Sequence, residues 1–165
     1  MKRLLALGAG TLAALVLFPL LLAASPASAS TLSDCLARQH VCVTGEGRSL
    51  VSAGQQSELE RQIGGDGIYL VVAPSGSAGY RSSMNQIIST LDGHAQFTVG
   101  FLDSKQQHFG AYNKGMLPSG GAANIATRVV EQHQADQNVF AALTDFVSDV
   151  KGEAGSGSGA AANAP

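Results

Sequence analysis

The stretch "GIYLVVA", residues 67–73, is apolar at nearly every position and contains neither a charge nor a proline. A strand with one wet face alternates, so an unbroken apolar run of this length fits a strand covered on both faces, as in a parallel sheet between helices. Two layers of helix must therefore be found around it. Upstream, "SAGQQSELERQIGG" sets Ser52 and Gln55 in capping-box spacing and stops at Gly64-Gly65, which predicts a helix over 53–63 with Leu59 and Ile63 facing inward. Before it, "HVCVT" (40–44) is a short β-branched strand that ends in the turn Gly45-Glu46-Gly47.

Downstream, Pro74 to Gly79 is a loop of small residues, after which Tyr80, Met84, Ile87, Ile88 and Leu91 recur on one helical face. "AQFTVGFL" (95–102) places Phe97, Val99 and Phe101 on one side, "DSK" turns the chain, and "QQHFGAY" (106–112) alternates again; the pair predicts a β-hairpin. A polar loop over 113–120 follows, with Ser119 as the expected cap of the next helix. Ala122, Ile125, Ala126, Val129, Val130 and His133 keep helical spacing, and a second run carries Phe140, Leu143, Phe146, Val147 and Val150. The order predicts an α/β fold: a small mixed, mainly parallel sheet flanked by helices, with a β-hairpin, two C-terminal helices and right-handed crossovers.

The N-terminus says where such a domain is used. Lys2 and Arg3 precede an almost wholly apolar run from Leu4 to Ala24, and "SPASA" ends in the small pair Ala27-x-Ala29, so residues 1–29 read as a secretory signal peptide cleaved after Ala29. An uncleaved membrane helix is the alternative, since the run reaches bilayer length, but Pro19, Pro26 and the small-residue exit favour cleavage. Loss of Lys2 and Arg3 takes the formal charge from −2 to about −4. An acidic chain without clustered Lys and Arg has no nucleic-acid footprint. Trp is absent and aromatics make up 5% of the chain, so one core, built on Val, Ile, Leu and Ala, is expected over 30–150.

Cys35 and Cys42 are the only cysteines, and beyond an export signal an even pair favours one intramolecular disulfide. Closing so short a loop restricts the unfolded chain by about 2.5 kcal/mol on the chain-entropy account. A redox-active pair is the sharper alternative, but C-x₆-C is not C-x-x-C. From 151 to 165 the Gly/Ser/Ala-rich "KGEAGSGSGAAANAP" reads as a flexible tail or linker, either leading to a C-terminal membrane tether or acting as a wall spacer.

The segment "HVCVTGEGRSLVSAGQQSELERQIGGDGIYLVVAP" resembles the TPM domain family, above all its actinobacterial secreted or membrane-anchored members. The likeness extends more loosely through "FTVGFLDSKQQHFGAY" and the closing helices, over roughly residues 36–150, and lies in apolar and small-residue patterns rather than in a catalytic signature. It implies an extracytoplasmic α/β domain, often membrane-tethered, with phosphatase activity attributed to some members. Where the family's first strand reads P-V-Y-V-D-P, this chain has His40, Cys42 and Thr44, so the acid expected at 44 is missing.

Candidate chemistry is sparse. The loop Pro74-Ser75-Gly76-Ser77-Ala78-Gly79 joins a buried strand to a helix N-terminus, where backbone amides can cradle an anion, which makes Ser75, Gly76, Ser77 and Gly79 a candidate anion-binding loop. It lacks a P-loop Lys-Ser/Thr and a complete G-x-G-x-x-G, it only half matches a G-x-S-x-G elbow, and a plain connector of turn formers is the bland alternative. Asp66 and Asp103, with Asp92, are candidates for a divalent cation such as calcium, since hard ions want several oxygens; each is also an ordinary turn residue. His40, His94, His108 and His133 show no zinc spacing, His108 on the hairpin being the one worth mutating and His133 a boundary residue. No catalytic residue is assigned. The expectation is an extracytoplasmic, secreted or envelope-tethered TPM-like interaction module with an envelope or membrane protein partner, no nucleic acid and no obligate cofactor. The alternative is a weak metal-dependent phosphatase-like hydrolase. Exported material should begin at Ser30 and show an intact mass short of the two thiol hydrogens of Cys35 and Cys42; free thiols there would refute the bridge.

Overall fold

A computed structural model describes residues 27–159, so most of the expected signal segment and the last six residues of the tail lie outside the described residues. The chain runs through α1 (Ala27–Leu36), β1 (Val41–Val43), a 3-10 turn (Gly45–Ser49), α2 (Ala53–Ile63) and β2 (Ile68–Ala73). It continues through α3 (Tyr80–Leu91), β3 (Phe97–Asp103), β4 (His108–Lys114), α4 (Gly121–His133) and α5 (Val139–Gly159). The four strands lie in the order β1-β2-β3-β4, with β1, β2 and β3 parallel and β4 antiparallel to β3. This is the α/β class, with the mixed, mainly parallel sheet, the hairpin and the two closing helices.

All six residues of β2 are buried, and the pleat sends them to two different cores. Ile68, Leu70 and Val72 meet Leu59 and Ile63 of α2, Ile125 and Val129 of α4, and Leu143, Phe146 and Val147 of α5. Tyr69, Val71 and Ala73 face the other way, toward Leu36 of α1 and Met84, Ile87 and Leu91 of α3. The capping box of α2 forms as its sequence predicts: Gln55 N–H donates to Ser52 Oγ and Ser52 N–H to Gln55 Oε1, while Gly64 ends the helix in the left-handed region. Side chains of α2 also protect the sheet edge, because Val41 N–H donates to Glu60 Oε1 at 2.6 Å and Gln56 Nε2 donates to Val41 O at 2.8 Å.

Placing α2 and α3 on opposite faces corrects the expectation that both crossovers are right-handed. Each steps one strand in the same direction, β1 to β2 and β2 to β3, yet they pass over opposite sides of the sheet. Two such connections have opposite hands, so one of them breaks the usual rule. The burial of β2 explains how this is tolerated: both faces need a helix, and four strands leave few connections to provide them.

Three local features also differ from the sequence expectation. Residues 27–36 form a helix, and the Cys35–Cys42 disulfide ties its last turn to buried Cys42 of β1 with the Cα atoms 5.9 Å apart. The cap of α4 is Gly120 at φ +80° rather than Ser119, because the turn closed by Gly121 N–H on Pro118 O brings the chain into the helix through a left-handed residue. The closing helix runs past Val150 to Gly159 instead of giving way to a flexible tract at Lys151. Glycine disfavours that continuation, but Lys151 donates to Gln62 O and pairs with Asp66, and Ala154 packs on the core, so tertiary contact holds the first of the extra turns.

The 3-10 turn lies hard against β2, and a Cβ on Gly47 would sit 2.3 Å from Val72 O. Gly47→Ala should lower stability by about 3 kcal/mol through backbone displacement, read as a lower urea midpoint. Gly54→Ala in α2, where a Cβ meets nothing within 4 Å, should hold or raise it by roughly 0.5–1 kcal/mol.

Candidate functional site

The carboxyl ends of parallel strands are where open α/β sheets bind ligands, especially where neighbouring connections leave to opposite faces. Here β1 and β2 form such a pair, but the space between their ends is filled by the chain itself. Thr44 N–H donates to Val72 O at 2.9 Å, Gly47 rests on the same carbonyl, and a Cβ on Gly45 would meet the Pro74 ring at 3.3 Å.

The candidate anion loop follows directly, and its amides are largely committed. Ser75 N–H donates to Asp103 Oδ1 at 3.1 Å, Gly76 N–H to Ser83 Oγ at 3.0 Å, and Gly79 N–H to Gly76 O at 2.8 Å. Asp103 also accepts from Lys105 and Gln106 N–H, so this one carboxylate pins the loop to the hairpin turn. Burial pushes its pKa up, but the hydrogen bonds from Ser75, Lys105 and Gln106 outweigh that and hold it below the ordinary carboxylate value. Burial, with the Asp103 charge nearby, pushes the Tyr80 phenol up to about 12. An anion on Ser75, Gly76, Ser77 and Gly79 would therefore find several amides taken and a fixed negative charge behind them.

The aspartates singled out for a cation do not converge. Asp103 ends β3 beside Ala73, the last residue of β2, whereas Asp66 lies before the start of β2 and pairs with Lys151 at 2.7 Å. A sheet rise of about 3.3 Å per residue puts more than ~16 Å between them. Asp92 precedes β3 at the same far end and pairs with Lys114 at 2.8 Å. Among the described residues no group of three or more His, Cys, Asp or Glu side chains could hold a metal ion. Calcium takes six to eight oxygens, and a lone carboxylate already accepting three N–H bonds does not fit it.

The histidines fall into separate settings. His40 stacks on Tyr69 with ring centroids 5.0 Å apart, and His94 lies within 3.3 Å of the same tyrosine's hydroxyl. His108, cross-strand from Asp103, is exposed and stands edge-on to Tyr80. His133, read from sequence as a boundary residue, proves the most constrained: its Nε2 lies 2.7 Å from Asp145 Oδ2 and its Nδ1 3.5 Å from Asp136 Oδ2. The hydrogen bond to Asp145 chiefly, with Asp136, raises its pKa above the ordinary histidine value against the effect of desolvation.

His133 lines a groove of about 420 Å³ between the tip of the hairpin and the turn from α4 to α5. Leu102, Phe109 and Leu143 make its floor, Leu50, Val130 and Val139 its walls, and the amide side chains of Gln107, Gln134, Gln137 and Asn138 its rim. Val130 is 41% exposed although its spacing placed it on the inner face. Gln107 at φ +50° and Gln137 at φ +52° are the non-glycine residues in the left-handed region, and both lie on this rim. Sequence reasoning missed the groove, whose only local signal is the polar run "EQHQADQN" (131–138) between two apolar helical stripes.

No family model and no curated protein sequence matches this chain. The disulfide points to an oxidising, extracytoplasmic compartment. Among the described residues no helix is long and apolar enough to cross a membrane.

Asp103→Ala should leave three backbone N–H groups without their acceptor and cost about 2–3 kcal/mol at pH 7. Because the folded pKa is depressed, the carboxylate's contribution is present above the unfolded value of about 3.9 and is lost as pH falls through the folded one. The gap between wild type and variant, measured by urea unfolding at several pH values, should therefore narrow in acid.

Proposed function

We propose that the chain is an extracytoplasmic interaction module of the cell envelope, of the TPM-like type, with no reaction centre of its own. The groove between the hairpin tip and the α4–α5 turn is the observation that carries this reading. An apolar floor rimmed by neutral amides suits an apolar, uncharged segment of an envelope protein: side chains enter the groove, and Gln and Asn side chains serve both the N–H and the C=O groups of an extended backbone. Charge agrees with that occupant, since the groove's titratable group, His133, is already compensated by Asp145 and Asp136. The disulfide supports an extracytoplasmic setting. Export by the N-terminal signal, tethering beyond the tail and the TPM likeness over residues 36–150 belong to the proposal through their sequence patterns alone. A metal-dependent phosphatase gains nothing from the geometry, with Asp66 and Asp103 at opposite ends of the sheet and the Ser75, Gly76 and Gly79 amides engaged.

The test is an NMR titration of the domain with an acetylated, amidated hexapeptide of leucine and alanine. Shifts should cluster on Gln107, Val130, Gln137 and Val139 and should vanish in Val130→Asp, while Tyr112→Asp on the other face of the sheet leaves them unchanged. Shifts scattered over the surface, or unaffected by Val130→Asp, would sink the reading.

A further inference from the structure

The turn between α4 and α5 sets one half-buried imidazole against two carboxylates. His133 lies with its side chain 17% exposed between two carboxylates on either side of the ring, Asp145 on α5 and Asp136 in the turn. A neutral imidazole has one N–H and one lone pair. With the proton on Nε2, the Nδ1 lone pair faces Asp136; with it on Nδ1, the Nε2 lone pair faces Asp145 at 2.7 Å. Only the imidazolium offers a proton to both, and buried Nδ1 has no hydrogen-bond partner, Asp136 Oδ2 facing it at 3.5 Å as an ion pair. The other elements of the groove oppose nothing to this charge: the hairpin presents Leu102, Gln107 and Phe109 and the segment after the 3-10 turn presents Leu50, none of which titrates.

The same residues organise the turn. His133 O accepts the Gln137 N–H at 3.0 Å, Asp136 Oδ1 accepts the Asn138 N–H at 3.1 Å, and Asn138 Oδ1 accepts the Ala141 N–H at the start of α5. Between them Gln137 is held at φ +52°, a conformation unfavourable for a non-glycine residue that persists only where its neighbours impose it. Asp136 is thus shared between the histidine and the strained turn. One turn away along α4, Arg128 pairs with Asp149 and Glu153 of α5, a tie that does not titrate near neutral pH, so the helices stay joined when the turn alone is released.

We propose that His133 is a protonation-controlled clasp, which in its charged form draws Asp136 and Asp145 together and fixes the α4–α5 turn as one lip of the groove, and in its neutral form releases that lip. This holds whether or not the groove takes a partner. The raised histidine pKa agrees in direction. Its sign follows: the clasp is fully present below the unfolded histidine value of about 6.5 and is lost as pH rises through the higher folded value, so acid firms the lip and alkali loosens it.

Two measurements on the intact domain decide this. In wild type, ring NMR shifts of His133 should report titration above 6.5, and amide hydrogen exchange at residues 134–139, corrected for intrinsic rate, should lose protection on the order of three- to tenfold between pH 6 and pH 9. In Asp145→Asn, where Nε2 loses its anionic partner, the His133 titration should move down and the pH dependence of protection should flatten, while exchange in β2 stays unchanged. A His133 titration at or below 6.5 in wild type, or a turn whose protection does not change with pH, overturns the clasp. So does the same pH dependence in Asp145→Asn, and the wild-type readings stand even if the variant folds poorly.

Discussion

The burial of β2 on both faces governs this structure. Its aliphatic side chains, taken out of water at roughly 1.5–3 kcal/mol each, contribute on the order of 10 kcal/mol, as much as the whole net stability of an ordinary domain. Neither face can be left wet, so helices must lie on both sides of a sheet of four strands. That requirement splits the short βαβ connections between the faces, sends α4 and α5 to cover one of them, and leaves α1, pinned by Cys35–Cys42, to complete the other. The unusual hand of one crossover follows from the same demand.

The crevice that a larger α/β enzyme would use at its carboxyl edge is consumed here in holding the fold together. Gly47 presses on Val72, Pro74 on Gly45, and Asp103 ties the Ser75 amide of the 74–79 loop to the Lys105 and Gln106 amides of the hairpin turn. A groove stays open at the corner where the hairpin and the α4–α5 turn meet. There the two glutamines in the left-handed region, the amide rim and the His133 clasp occur together.

Much of the architecture was legible because hydrophobic period is a local property. The capping box at Ser52 and Gln55, the Gly64 stop, the alternation in "FTVGF" and the stripes of α3 to α5 each act through neighbours a few residues apart. The features that escaped notice depend on distant partners. Helix α1 has its Leu32 and Leu36 on the core across from Met84 and Val71, and the first of the extra turns of α5 rests on Gln62 and Asp66, far back in the chain. Ser119 lost the cap to Gly120 because the direction of approach, not the chemistry of the serine, set the backbone angle.

The sequence by itself determined the four strands, helices α2 to α4 and α5 as far as Val150, most of their inward faces and a disulfide pair placed to close a short loop, since these follow from spacing along the chain. Only the tertiary structure decided which face each helix covers, that Asp66 and Asp103 lie at opposite ends of the sheet, and that His133 meets Asp136 and Asp145 at the edge of a groove. The reason is physical: the sign and strength of a charge's surroundings depend on the few ångströms around it, and the residues that fill that space come from elements whose packing no local pattern specifies.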